Sequence, residues 1–177
     1  AVLVQLELPL KVNLHAVVKS KKLGRRVILD PAPACALEDD FYKNPDIMTP
    51  NETEAAILSG IEVIDAESAE KAARIISSKG CPTVIITLGA NGSLVLDQDK
   101  AAHYPAPKIN AVDSTAAGDA FTGSLAVFLS EGRPLDEAVQ LAGFCGALTA
   151  SKLGAQPSLP SRSDVAAFAA KHGIDFA

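Results

Sequence analysis

Apolar residues along this chain come in short unbroken runs and in helical stripes, with little strict alternation. Val2 to Leu6 is a brief β-rich run, and Pro9 opens a helical stretch to about Leu23. Val27 to Asp30 reads as a second strand that stops at Pro31-Ala32-Pro33, and Asp46 to Pro50 as a third, very short one. Asn51 is placed to cap the next helix, with Glu54 spaced for a capping box. A further helix runs from Asp65 to Lys79, stacks Ala69, Ala72, Ala73 and Ile76 on one face, and ends at Gly80. Thr83 to Leu88 is β-branched and apolar throughout, as expected of a strand buried on both faces of a parallel sheet. Gly89-Ala90-Asn91-Gly92 is a turn from which Ser93 to Leu96 leaves as another strand.

After a loop at Tyr104 to Pro107, Asp113 to Gly118 leads into a helix from Asp119 to about Ser130, with Phe121, Leu125, Phe128 and Leu129 as its buried stripe. Gly132-Arg133-Pro134 breaks it, and a second apolar helix runs from Leu135 to about Lys152. Gly154 to Pro160 is a loop, and a last helix covers about Ser163 to His172. Strands alternating with helices across short turns predict an α/β layered sandwich with a mostly parallel sheet. No repeat, low-complexity tract or long linker divides the chain, so 1–177 is expected to be a single α/β domain.

Composition narrows the function classes. The chain has 177 residues, 48% hydrophobic and 21% charged, the balance of a globular protein. A net charge of −5 gives no basic stripe for phosphate neutralisation, which argues against a nucleic-acid partner. The local exception, Lys19, Lys21, Lys22, Arg25 and Arg26, reads as the solvated end of a helix. The 3 cysteines, Cys35, Cys81 and Cys145, lie far apart with no CxxC pair, which suits a reducing, cytoplasmic compartment. No apolar run reaches membrane-spanning length, and AVLVQLELPL without an initiator Met reads as a strand entered mid-protein, so a fragment is expected.

Three segments can carry chemistry. In Asp113-Ser114-Thr115-Ala116-Ala117-Gly118-Asp119, small residues ahead of a helix leave its first amides open to an anion such as a phosphate. Asp119 in that first turn has two readings: a complement to the helix dipole, or a base that takes the proton of a group attacking phosphorus. Thr87-Leu88-Gly89-Ala90-Asn91-Gly92 is a strand end and glycine-rich turn where open parallel sheets bind ligands, and equally a plain β-turn. Asn51 and Glu54, one helical turn apart, could hold hydrated Mg²⁺ or simply form the capping box. Neither a GxxxxGK[ST] loop nor a GxGxxG fingerprint after a strand is present. His15, His103 and His172 stand apart from any nucleophile and read as surface or helix-end residues.

Together these segments resemble the ribokinase (PfkB) family of carbohydrate kinases. DSTAAGDAF is similar to the family signature DTxGAGD, TPNETEA to its NxxE segment, and TLGANG to its nucleotide-binding TLGxxG. KLGAQPS resembles the loop that closes over the nucleotide and a monovalent cation. The resemblance runs from the first residues to about Pro160 and covers only the C-terminal part of a full-length member. It implies ATP as phosphoryl donor, with Mg²⁺ and K⁺ as cations. Asp119 would be the catalytic base, and the backbone of Ala116, Ala117 and Gly118 the anion hole. Asn51 and Glu54 would organise Mg²⁺ and the ATP phosphates. Thr87, Leu88, Gly89, Ala90, Asn91 and Gly92 would border the nucleotide. Asp113, Thr115, Thr149, Lys152, Gly154 and Ser158 match the K⁺ positions, several through backbone carbonyls. Glu7, in QLELP, matches a sugar contact.

Gly143 stands where many relatives place a side chain that reaches adenine, so base selectivity is expected to be weak or supplied elsewhere. The family's N-terminal part, with most sugar contacts and the lid that also mediates homodimerisation, is absent from this chain, which alone is expected to be inactive. The TAAGD form, QLELP and Asp30-Pro31-Ala32-Pro33-Ala34 favour ribose as acceptor over the substrates of fructokinase, ketodeoxygluconate kinase or adenosine kinase. A non-catalytic nucleotide-binding remnant, or one half of a split kinase, is the alternative. No membrane partner is expected.

Overall fold

The computed structural model describes residues 1–174 and 176. The chain divides into two compact units, Ala1–Tyr104 and Pro105–Ala177. The first contains β1 (Val2–Val4), α1 (Leu10–Lys22), β2 (Val27–Leu29), α2 (Asp40–Lys43), β3 (Ile47–Met48), α3 (Glu52–Ser59), α4 (Ala66–Ser78), β4 (Thr83–Thr87), β5 (Ser93–Asp97) and β6 (Lys100–Tyr104). These strands form one 6-stranded sheet in sequential order. β1 to β4 pair in parallel, and β5 and β6 close the far side antiparallel.

Helical crossovers return the chain to the same end of the sheet each time, which is what parallel neighbours require. Val4, Leu29, Met48 and Val84 sit side by side in register. They join Val17 of α1 and Ala69, Ala72, Ala73 and Ile76 of α4 in one core. The alanine stripe of α4 lets that helix lie close to the strands. β2 is buried at all three positions, as is β4 from Thr83 to Ile86, which explains why neither alternates.

The second unit contains α5 (Ala117–Ser130), α6 (Leu135–Ala150) and α7 (Arg162–Lys171), with a short 3₁₀ turn at Gln156–Ser158. Phe121, Leu125, Phe128 and Leu129 are the buried stripe of α5, as their spacing predicts. Close approach of α5 and α6 depends on Gly146, where an added Cβ would lie 3.2 Å from the Ala117 carbonyl oxygen. Phe144 of α6 meets Phe168 of α7 edge-on with ring centroids 5.4 Å apart.

Three elements depart from the sequence reading. β6 falls partly where a loop is expected, because Lys100-Ala101-Ala102-His103-Tyr104 lacks the β-branched run of a strand and is exposed over its first four residues. Its pairing with β5 supplies what its composition does not. The four-residue α2 is too short to leave a periodic trace. α5 also starts two residues before the expected Asp119, at Ala117.

Candidate active site

In the first unit the candidate residues gather at the carboxyl ends of β3 and β4. The Asn51 side chain accepts from the Glu54 amide at 2.9 Å, and Glu54 Oε2 accepts from the Asn51 amide at 2.8 Å. The capping box is therefore formed. It uses one oxygen of each side chain and leaves Asn51 Nδ2 and Glu54 Oε1 outside the box. Glu54 is only 9% exposed. Burial raises its pKa, against a smaller lowering by the two Asn51 hydrogen bonds.

Asn51 is joined to Thr87 by a parallel β-bridge, and the Thr87 amide donates to the Pro50 carbonyl at 3.0 Å. The start of α3 and the turn after β4 are thus held together. That turn is closed from within, Leu88 N to Gly92 O at 2.7 Å and Asn91 N to Leu88 O at 2.9 Å. Gly89 and Gly92 take φ of 51° and 92°, conformations that a side chain disfavours. Leu88 is buried beneath it, and Gly89, Ala90 and Asn91 are exposed. Glu7 is exposed just beyond β1, at the same sheet edge but two strands from β3.

In the second unit the helix opening has an unusual backbone. Ala116, the N-cap of α5, lies in the left-handed region at φ 61° and ψ 8°, and helical Ala117 follows. Neighbouring residues of opposite hand turn successive amides toward one concave side, an anion-binding arrangement. A non-glycine residue held there is also a mark of a constrained site. The Ala117 amide donates to the Ser114 carbonyl at 3.1 Å, so it is partly engaged. Gly118 and Asp119 are exposed.

Asp113 organises the loop ahead of that helix. Its Oδ1 accepts from the Thr115 hydroxyl at 2.6 Å and the Thr115 amide at 2.9 Å, and its Oδ2 from the Gly154 amide at 3.0 Å. These donors, the Thr115 hydroxyl first, hold its pKa below the usual carboxylate range. The Val112 and Asp113 amides both donate to the Ala150 carbonyl, tying the same loop to the end of α6. Thr149 is fully buried and its hydroxyl has no hydrogen-bond partner. Ser158 is equally buried, donating its hydroxyl to the Ala155 carbonyl at 2.6 Å. Lys152 is exposed, and its amide donates to the Thr149 carbonyl at 3.1 Å. Gly143 is half-buried on α6 with open space around a would-be Cβ.

The pfkB family of carbohydrate kinases matches this chain over residues 1–162. The chain belongs to that family. Ribokinase of Haemophilus influenzae is 45% identical over 94% of this chain and 54% of its own length. Deoxyribokinase of Salmonella typhimurium is 37% identical over 90% of this chain and 53% of its own. The structure of Arabidopsis thaliana ribokinase complexed with ribose and ATP superposes with a TM-score of 0.87 at 32% identity, covering 92% of this chain and 53% of that one. The chain spans about half the length of the curated relatives it matches. Its mostly parallel sheet is the ribokinase-like α/β fold of these kinases.

The remaining chemistry-bearing groups of this family member lie elsewhere. Burial pushes the Cys81 thiol up to about 12, which leaves it unreactive, and the described cysteines are all unpaired. Among the described residues, no group of three or more His, Cys, Asp and Glu is placed to hold a metal ion, and no helix is long and apolar enough to cross a membrane. Two contacts have no sequence signal. His103 is the surface residue its isolation predicts, on a strand, with its Nε2 2.7 Å from the Asn91 carbonyl. Asp30, buried at the end of β2, accepts from Gln5 Nε2 at 2.9 Å.

Proposed function

We propose that the protein of which this chain forms part transfers the γ-phosphoryl of ATP to a sugar hydroxyl, with ribose as acceptor and ribose 5-phosphate as product. The observation that carries this reading is the left-handed Ala116 at the start of α5, with exposed Asp119 one turn on. Asp119 takes the proton from the attacking hydroxyl as its oxygen forms the bond to γ-phosphorus. The bond from γ-phosphorus to the bridging oxygen breaks, ADP leaves, and the proton passes on to solvent. The amides of Ala116 and Gly118 face the charge spread over the transferring group, while the Ala117 amide stays on the Ser114 carbonyl. Such positioning supplies most of the acceleration in phosphoryl transfer, while a positioned base adds on the order of 10²–10⁴.

The turn from Thr87 to Gly92 borders the nucleotide, and Glu7 contacts the sugar. Gly143 leaves the base side without a side chain, so base selectivity is weak or supplied by other residues. The residues present fit the two implied cations. Glu54 is a buried carboxylate with one oxygen outside its capping box, which suits a Mg²⁺ held largely through waters. Mg²⁺ supplies charge neutralisation on the ATP phosphates. For K⁺, the matching residues would offer oxygen alone: the Asp113 carboxylate, the buried Ser158 hydroxyl, and backbone carbonyls among Thr115, Thr149, Lys152 and Gly154. The buried, unpartnered Thr149 hydroxyl supports a polar occupant near it. K⁺ supplies fixed positive potential next to the anion hole. We read residues 1–177 as one functional domain of a cytoplasmic enzyme.

The test is sugar-dependent ADP release by the full-length gene product over ribose, deoxyribose, fructose and adenosine, with and without K⁺. The expected result is fastest turnover on ribose with K⁺ present. A higher rate on deoxyribose would move the assignment toward the Salmonella relative. No sugar-dependent release would reject the kinase.

A second reading, a nucleotide-binding piece of a split kinase, starts from the nucleotide-side residues that the Asn51–Thr87 bridge holds together. The 177-residue chain then binds ATP but turns over sugar only when a complementary segment is supplied. ATP titration of the chain alone, followed by assay with an added N-terminal piece, separates the two.

A further inference from the structure

The turn assigned to the nucleotide is braced from outside by a strand two removed from it. Thr87 ahead of it is held by the Pro50 carbonyl, and the backbone bonds Leu88 to Gly92, Asn91 to Leu88 and Gly92 to Gly89 close the turn on itself. Two left-handed glycines and an alanine give it no bulk with which to pack. β6 pairs with β5 so that His103 stands opposite Leu94, just past the turn. From there its ring reaches back, and Nε2 meets the Asn91 carbonyl oxygen at 2.7 Å. A carbonyl only accepts, so Nε2 carries the hydrogen. The neutral Nε2–H tautomer and the imidazolium both donate, so the contact does not depend on the ring's charge.

We propose that His103 is a positioning residue for nucleotide binding, fixing the Gly89–Gly92 turn through the Asn91 carbonyl before ATP arrives. This rests on the assignment of that turn to the nucleotide. A loop ordered in advance removes part of the entropy lost on binding. A single hydrogen bond of this kind accounts for about a three- to ten-fold change in affinity. His103 touches neither the reacting atoms nor the phosphates and acts only through Asn91.

Two variants separate the bond from the ring. His103→Phe keeps a planar ring without a donor, and His103→Gln keeps an N–H donor without the ring. Both sit on an exposed strand that tolerates either residue, and equal melting temperatures would verify the fold. Hydrogen–deuterium exchange at the Asn91 and Gly92 amides of the free chain reads the brace, and calorimetric titration with Mg·ATP reads its consequence.

We expect faster exchange at both amides and affinity about three- to ten-fold weaker in His103→Phe, with His103→Gln close to wild type in both. Unchanged exchange in His103→Phe would overturn the proposal, as would equal losses in the two variants. If exchange responds as expected while wild-type affinity is unaltered in His103→Phe, the brace exists but does not serve the nucleotide, and the proposal fails. A wild-type chain that binds no Mg·ATP would remove the nucleotide assignment itself, independently of the exchange result.

Discussion

The Asp113 carboxylate accepts a hydrogen bond from the Gly154 amide at 3.0 Å, across 41 residues of chain. With the Thr115 hydroxyl and amide on its other oxygen, it fastens the loop entering α5 to the loop leaving α6. Its folded pKa is depressed, so the stabilisation is present above the ordinary aspartate value and is lost as pH falls through the lowered one. Exchange protection of the Gly154 amide should therefore be constant through neutral and mildly acidic pH and collapse only below about pH 4. Asp113→Ala should lose that protection at every pH and abolish any K⁺ stimulation of turnover. Retained protection in the variant would remove Asp113 from this role.

Asp119→Asn removes the proton acceptor while keeping the size and exposure of the side chain. Turnover of the full-length enzyme should fall by about 10²–10⁴ with ATP affinity within a few-fold of wild type. Single-turnover rates and ATP titration read the two effects separately. Near-normal turnover would return Asp119 to the role of a helix-dipole complement.

Glu54 has the opposite sign. Burial raises its folded pKa, so its contribution to stability is fully present below the ordinary glutamate value and is lost as pH rises through the raised one. Glu54→Gln keeps an acceptor for the Asn51 amide without a buried charge. The variant should melt higher than wild type near pH 8, and the two should converge near pH 4. It should also weaken the Mg²⁺ dependence of nucleotide binding. A variant less stable than wild type at pH 8 would contradict the burial argument.

Gly146→Val places a branched side chain where even a Cβ lies 3.2 Å from the Ala117 carbonyl. The first turn of α5 must then shift away from α6. Overpacking of this kind costs about 1–3 kcal/mol, visible as a lower melting temperature. Because the shift falls on the proposed anion hole, turnover should drop by more than the loss of folded protein explains. Equal losses in the two would mean that the helix start is not functional.

The elements with strong local signals were legible in advance. The Asn51 capping box, the alanine stripe of α4, the unbroken apolar run of β4 and the buried stripe of α5 each follow from spacing that one element dictates. What escaped depends on partners distant in sequence. β6 is a strand only because β5 pairs with it. The Asp113–Gly154 tie and the His103–Asn91 contact join residues 41 and 12 positions apart. Nothing in Thr115-Ala116-Ala117 announces that Ala116 will adopt a left-handed backbone, since alanine ordinarily avoids it.

The outermost strand on the antiparallel side has a quieter consequence. From Lys100 to His103 each position meets solvent, with a charge at one end and two alanines after it. Such a margin offers a visiting chain backbone to pair with but almost no greasy surface to settle on. A strand added there would gain backbone hydrogen bonds but little apolar contact.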